Sequence, residues 1–161
     1  MVWECIRNTF RKKGEGPMKE KVQVKGKLDL YGYNRGEDGE LHLVFHKSID
    51  NGVVDDGFDL LCAVLGNSIQ PDSLSYMAVG DGVAGGNDAT TLTHETDRQS
   101  ATYAHTSGTK SFTLSATFTS PDGIKEYGLF NADSAGTMFN IASFDPITVD
   151  ELVATATITF S

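Results

Sequence analysis

Two stretches of this chain alternate with a period of two, and that period decides what the chain can build. Phe112, Leu114, Ala116 and Phe118 fall to one side with Thr113, Ser115 and Thr117 to the other. Leu152, Ala154, Ala156, Ile158 and Phe160 repeat the pattern against a ladder of threonines. Only a strand sends successive side chains to opposite faces, so each stretch is a strand with one face on a core and one in solvent, the habit of antiparallel sheets. A third alternation over Lys19–Tyr33, carried by Val22, Val24, Leu28 and Leu30, predicts another strand, bent at Gly26. The turn Asn34–Gly39 returns it through Glu40–His46 as a hairpin. In 161 residues there is room for one such domain. The expected fold is mainly β, an antiparallel β-sandwich with one short body helix and an N-terminal amphipathic helical arm.

At the centre stands Gly123-Ile-Lys-Glu-Tyr-Gly-Leu-Phe-Asn131, a strand that a turn over Ala132–Gly136 sends back through Thr137-Met-Phe139. Gly128 falls mid-strand, where a missing side chain signals a bulge or a close neighbour. Asn131 and Gly136 supply turn chemistry. Glu126 interrupts an apolar run, and a carboxylate there needs a donor; Arg98, one of five basic residues beyond position 27, is the expected partner in an ion pair.

Phe58, Leu61, Cys62 and Leu65 recur at i, i+3, i+4 and i+7, which predicts a helix capped by Asp55 or Asp56, stopped at Gly66-Asn67, and buried along that stripe, Cys62 included. A second helical pattern opens the chain. Val2, Trp3, Ile6 and Phe10 form its apolar stripe, with Arg7, Arg11, Lys12 and Lys13 between and beyond them, and Gly14-Glu-Gly-Pro17 ends it. Residues 1–17 are therefore expected to be an arm and hinge, and 18–161 the sandwich. The formal net charge of −9 divides unevenly, since residues 1–27 carry a net +5 and the remainder −14. A basic arm on an acidic body suits docking to an acidic surface, and the body should repel nucleic acid. A helix this short needs a partner for its stripe, whether its own body, a neighbouring subunit or an acidic interface, and Trp3, Ile6, Arg7, Phe10, Arg11, Lys12 and Lys13 are the residues expected to find it.

Other motifs fail on spacing. His42 and His46 would stand about 13 Å apart along a strand, too far for one ion. Gly80, Gly82 and Gly85 spell G-x-G-x-x-G after a strand, yet polar sequence follows where a dinucleotide site would open a helix. Asp81, Asn87 and Asp88 lack the spacing of a Ca²⁺ loop, and His94-Glu-Thr-Asp-Arg98 lacks the second histidine of a zinc helix. No catalytic set, metal or cofactor is expected, and the chain is read as no enzyme. Two cysteines, Cys5 and Cys62, are too few for a disulfide framework and leave one bridge open. No run is long and apolar enough to span a membrane, and the first residues lack the order of a signal peptide, so no membrane partner and no signal-directed secretion are expected.

Ser75-Tyr-Met-Ala-Val-Gly-Asp-Gly82, Thr91-Leu-Thr-His-Glu95 with Arg98, Ile124-Lys-Glu-Tyr-Gly-Leu-Phe-Asn131, Gly136-Thr-Met138 and Phe144-Asp-Pro-Ile-Thr148 together resemble a group of tailed-bacteriophage virion proteins. The resemblance covers roughly residues 20–161 and leaves the arm outside it. It implies a compact β-sandwich working as a capsid decoration protein, or as a tail, neck or baseplate component. The partners it implies are other virion proteins, the major capsid protein or tail and neck proteins, and further copies of itself in a homo-oligomer. The place it implies is the virion, after synthesis in the host cytoplasm. Within that frame the short chain, without fibre repeats, favours decoration, with a tail, neck or baseplate adaptor as the alternative. A glycan-binding module is a further alternative, for which Tyr31, Tyr33, Tyr76, Tyr103 and Tyr127 would have to share a face.

Overall fold

The computed structural model describes residues 22–66 and 72–161, and the arm, with Cys5 and the hinge, lies outside them. Among the described residues nine strands and one helix follow in order: β1 (Val24–Arg35), β2 (Leu41–Val53), α1 (Asp55–Gly66), β3 (Tyr76–Gly80), β4 (Glu95–Ser100), β5 (Thr102–His105), β6 (Ser111–Thr119), β7 (Ile124–Phe130), β8 (Met138–Ile147) and β9 (Glu151–Phe160). All neighbouring pairs are antiparallel, in the order β4-β3-β7-β8-β2-β1-β9-β6-β5.

The sheet doubles over at two corners to make the sandwich. At one, β2 pairs with β1 over most of its length and then passes to β8 through Gly52 and Val53 alone. At the other, a single residue, Ala101, separates β4 from β5, and its N–H is held by the Ser75 carbonyl at 2.7 Å. The main core forms between the layers. Leu28, Leu30, Leu114, Phe118, Leu152 and Ile158 meet Met77, Val79, Tyr127 and Leu129 there, so the alternating stretches place their apolar side inward as expected. Asn51, Asn140 and Tyr127 bury polar atoms without a hydrogen-bond partner among the described residues. Such burial costs free energy, and it pushes the Tyr127 phenol above its ordinary pKa.

The layer β3-β7-β8 is covered on its other face as well. Ala78, Phe130, Met138 and Ile141 form a second cluster with Val54 and Leu92, and Leu92 comes from the loop of residues 81–94 that lies across them. Burial on both faces explains why β7 reads as a nearly continuous apolar run and not as an alternation.

Several expectations need correction. Gly26 makes no bend; its bare backbone accommodates the Asn51 side chain, whose Oδ1 stands 1.8 Å from where a Cβ would be, and the register shift comes later, at Gly32/Tyr33. β2 continues beyond His46 through Asp50 and Asn51, which pair with Lys27 and Gly26 of β1, and through Gly52, which pairs with Ile141 of β8. Glu95–Ser100, wholly polar in sequence, is an edge strand. The helix starts with the Val54 carbonyl accepting from Gly57 and Phe58, so Asp55 and Asp56 sit inside the first turn, where they favour the positive helix end without capping it.

The roll of α1 also differs. Gly57 lies against the backbone of β8, with the Phe139 carbonyl oxygen 2.2 Å from a notional Cβ, and this contact turns Gly57, Leu60 and part of Leu61 inward. Phe58 is left 47% exposed and Leu65 86%, and Cys62 is exposed, not a core residue.

Candidate functional site

The motif residues converge on the loop 81–94 and on the turn between β7 and β8. Gly128 gives the loop its seat. A Cβ there would come within 2.8 Å of the Phe130 ring and 3.1 Å of both the Leu92 methyl and the Met138 sulfur, so the mid-strand glycine makes room for a neighbour, as its position predicts. Leu92 fills that room and is 5% exposed.

Glu126 holds the same loop. It lies on the loop side of β7, fully buried, and accepts the Thr93 N–H at Oε2 (3.0 Å) and the His94 N–H at Oε1 (2.7 Å). Backbone N–H groups compensate a buried carboxylate without a cation. The glycines of the G-x-G-x-x-G stretch belong to this arrangement. A Cβ at Gly82 would stand 2.5 Å from Glu126 Oε1, and one at Gly80 would stand 2.8 Å from it and 2.2 Å from the His94 carbonyl oxygen. The loop that resembles a phosphate cradle is wrapped around an anion of its own.

Arg98 does not pair with Glu126; that expectation is overturned by the location of each group's donors and acceptors. On β4, Arg98 sends Nε and Nη2 to Glu95 (2.8 and 2.6 Å) and Nη1 to the carbonyls of Ala132 and Ala135 (2.8 and 2.9 Å). Its guanidinium lies 3.8 Å over the Phe130 ring. Arg98 therefore fastens the β7–β8 turn, while Glu126 fastens the loop. Within the turn, Asn131 Oδ1 accepts the Thr137 N–H at 2.7 Å and Gly136 takes φ +73°, the roles their residue types predict. Ala135 also has positive φ, at 52°, which no feature of its sequence signals.

The loop carries one exposed ion pair, His94 Nδ1 with Asp81 Oδ1. Hydrogen bonding to Asp81 raises the His94 pKa above its ordinary value, and the same bond to His94 holds Asp81 below the usual carboxylate range. The raised histidine contributes stability below its unfolded pKa and loses it as pH rises through the folded value. The lowered aspartate contributes above its unfolded pKa and loses it as pH falls through the folded value. The pair thus supports the loop in the window between. In a proton NMR titration His94 should titrate above 6.5, the ordinary histidine value, and Asp81→Asn should bring its midpoint down; an unchanged midpoint in the variant would disprove the coupling.

The other histidines serve separate carboxylates. His42 meets Asp38 at 2.9 Å, and His46 meets Asp29 at 3.0 Å while stacking on Tyr31 with ring centroids 4.3 Å apart. Burial alone would raise the Asp29 pKa, but hydrogen bonds from Ser48, His46 and Lys27 hold it below the ordinary value. Among the described residues no three His, Cys, Asp or Glu side chains gather as a metal site would require. The tyrosines do not form one platform: Tyr127 is core, Tyr76 packs under the loop, and Tyr103 lies on the edge strand β5.

The outer face of β9 and β6 is rich in hydroxyls, with Glu151 at one end of the row. Register sets Thr157 beside Thr113, Thr155 beside Ser115 and Thr159 beside Ser111, with a hydroxyl bond of 3.0 Å between Ser115 and Thr155. Thr117 continues the row opposite Val153. Comparisons of the chain with family models, with curated proteins and with solved structures find no match in any of the three.

Proposed function

We propose that this chain is a structural protein of a tailed-phage particle, a capsid decoration or cement protein that docks through its N-terminal arm and associates with its own copies. The observation that carries this reading is the use made of the motif residues. Glu126, Arg98, Gly80, Gly82, Gly128, Asn131 and Gly136 hold a loop and a turn against the sandwich, and the polar side chains among them are occupied by the backbone of Thr93, His94, Ala132, Ala135 and Thr137 and by the Glu95 carboxylate. That is the pattern of a rigid building block. The broad hydroxyl-bearing face of β9 and β6 supports self-association, since threonine rows give many weak uncharged contacts that gain strength from copy number. A tail, neck or baseplate adaptor is the second reading, because the same block and arm would serve there.

Sedimentation of the full chain with phage heads and, separately, with tails tests the proposal. Arm-dependent binding to heads in high copy is expected; small integer binding to tails alone would favour the adaptor, and binding to neither would refute both. Removing residues 1–17 should leave a folded domain, seen by a cooperative melt, that no longer joins particles. Normal occupancy by the truncated protein would overturn the arm's role.

A further inference from the structure

The two strands that end the sheet treat their open sides differently. β4 carries Glu95, Asp97 and Arg98, and charge on a terminal strand keeps other strands away. β5 ends the other layer with Thr102-Tyr-Ala-His105, all exposed, and no Asp, Glu, Lys or Arg occurs from Gln99 to Thr109. Among the described residues no strand pairs with its outer side. Tyr103 is 60% exposed although it stands beside Leu114 on the core side of the layer, its ring 5.7 Å from that of Phe112. An uncharged edge with an uncovered aromatic is a surface for another strand.

The bonding of β6 fixes which backbone groups β5 has to offer. Phe160 donates its N–H to the Lys110 carbonyl at 2.8 Å, and bonding alternates along an antiparallel ladder. Phe112 and Leu114 therefore turn their backbone groups to β9, while Ser111, Thr113 and Ser115 turn theirs to β5. The Ser111 carbonyl, which accepts from His105 Nδ1 at 2.8 Å, agrees with this sense. Thr102 and Ala104 stand opposite Ser115 and Thr113 and direct their N–H and C=O to β6, so Tyr103 and His105 direct theirs outward.

We infer that β5 pairs antiparallel with β5 of a second copy about a two-fold axis at Ala104. Tyr103 and His105 of each copy then exchange N–H and C=O with His105 and Tyr103 of the other, and Ala104 meets its own counterpart between them. Neighbouring registers fail. One centred on Tyr103 needs the Ala101 N–H, which the Ser75 carbonyl already holds, and one centred on His105 needs Ser107, inside the turn that the Thr109 N–H closes on the Thr106 carbonyl. A two-fold contact requires a patch that complements itself, and this edge does so without setting any carboxylate against another, which two acidic bodies require. On the core side of the layer Tyr103 comes against His105 of the other copy and is covered. A contact of about five residues from each copy falls below the roughly 1,000 Å² of a stable interface, so the pairing is weak in dilute solution and gains where many copies are held together. The inference names a surface for the self-association proposed above and rests on that part of the reading.

Disulfide trapping tests it in the full chain carrying Cys5→Ser and Cys62→Ser. Opposed residues outside a hydrogen-bonded pair have Cα atoms about 4.5 Å apart, within reach of a disulfide, so Ala104→Cys should link two chains readily on mild oxidation. Thr102→Cys lies on the same face of the same strand, but its two copies would stand about 13 Å apart and should link at least about tenfold more slowly. Ala104→Lys and Ala104→Glu, at an exposed position, should each stay monomeric at concentrations where the unmodified chain dimerises in sedimentation. Mixed together they should pair, since only a residue on the axis meets its own copy. A dimer in sedimentation with equal trapping at positions 102 and 104 would overturn the edge pairing and leave self-association to another surface. A monomer at every concentration, with no preference for position 104, would overturn the self-association as well, while arm-dependent binding to heads is judged by its own experiment.

Discussion

Glu126→Ala is expected to destabilise the protein by about 3 kcal/mol, because it strips two part-buried N–H groups of their acceptor and leaves a void where a fully buried side chain stood beneath the loop. Thr93 and His94 would lose their anchor together, and the loop 81–94 would loosen over the second cluster. Glu126→Gln keeps the shape but offers one carbonyl where the site uses two oxygens, so about 2 kcal/mol is expected. Urea denaturation gives the stability change, and amide exchange localises it: Leu92 to His94 should lose protection well before β9. A loss under about 1 kcal/mol for the alanine variant would show that the two hydrogen bonds do not hold the loop.

Arg98→Ala should cost a similar amount, about 3 kcal/mol, since the guanidinium is nearly buried and serves a carboxylate, two carbonyls and an aromatic face at once. Arg98→Lys retains the charge and should still lose most of this, because one ammonium cannot reproduce the planar fork. The two sites share no partner. A double-mutant cycle between Glu126→Ala and Arg98→Ala should therefore be additive to within about 0.5 kcal/mol, and coupling well above that would restore the direct ion pair that their residue types suggest.

That misassigned pair shows where a sequence stops being legible. A carboxylate inside an apolar strand announces that it has a partner, but backbone donors carry no residue name. Glu126 is satisfied by N–H groups that any residues but proline at 93 and 94 would have offered, and nothing in their side chains marks them. The glycines at 80 and 82 were the available signal, for a loop poor in side chains after a strand is a loop that something approaches closely. Gly128 was readable because the demand is steric and local, although Leu92 as its neighbour was not. The alternating strands were readable for the same reason, each residue deciding its face by parity. Glu95–Ser100 was not, since an edge strand with polar side chains shows no alternation to detect. The apolar residues of α1 gave the helix but not its roll, which is set by Gly57 pressing on a strand eighty residues away.

The place of β1 between β2 and β9 has a consequence for how the protein reaches this state. Ten registered pairs join β1 to β9, from Val24 with Phe160 to Tyr33 with Glu151, so a central pairing of one layer closes a loop of more than a hundred residues. Closing such a loop costs entropy before any contact repays it, and chains dominated by distant pairings fold slowly. The hairpin of β1 and β2 can form early and alone, but it then presents the open edge of β1 until β9 arrives to occupy it. On the ribosome that edge waits for nearly the whole chain, and in that interval it is open to the β9 of another copy.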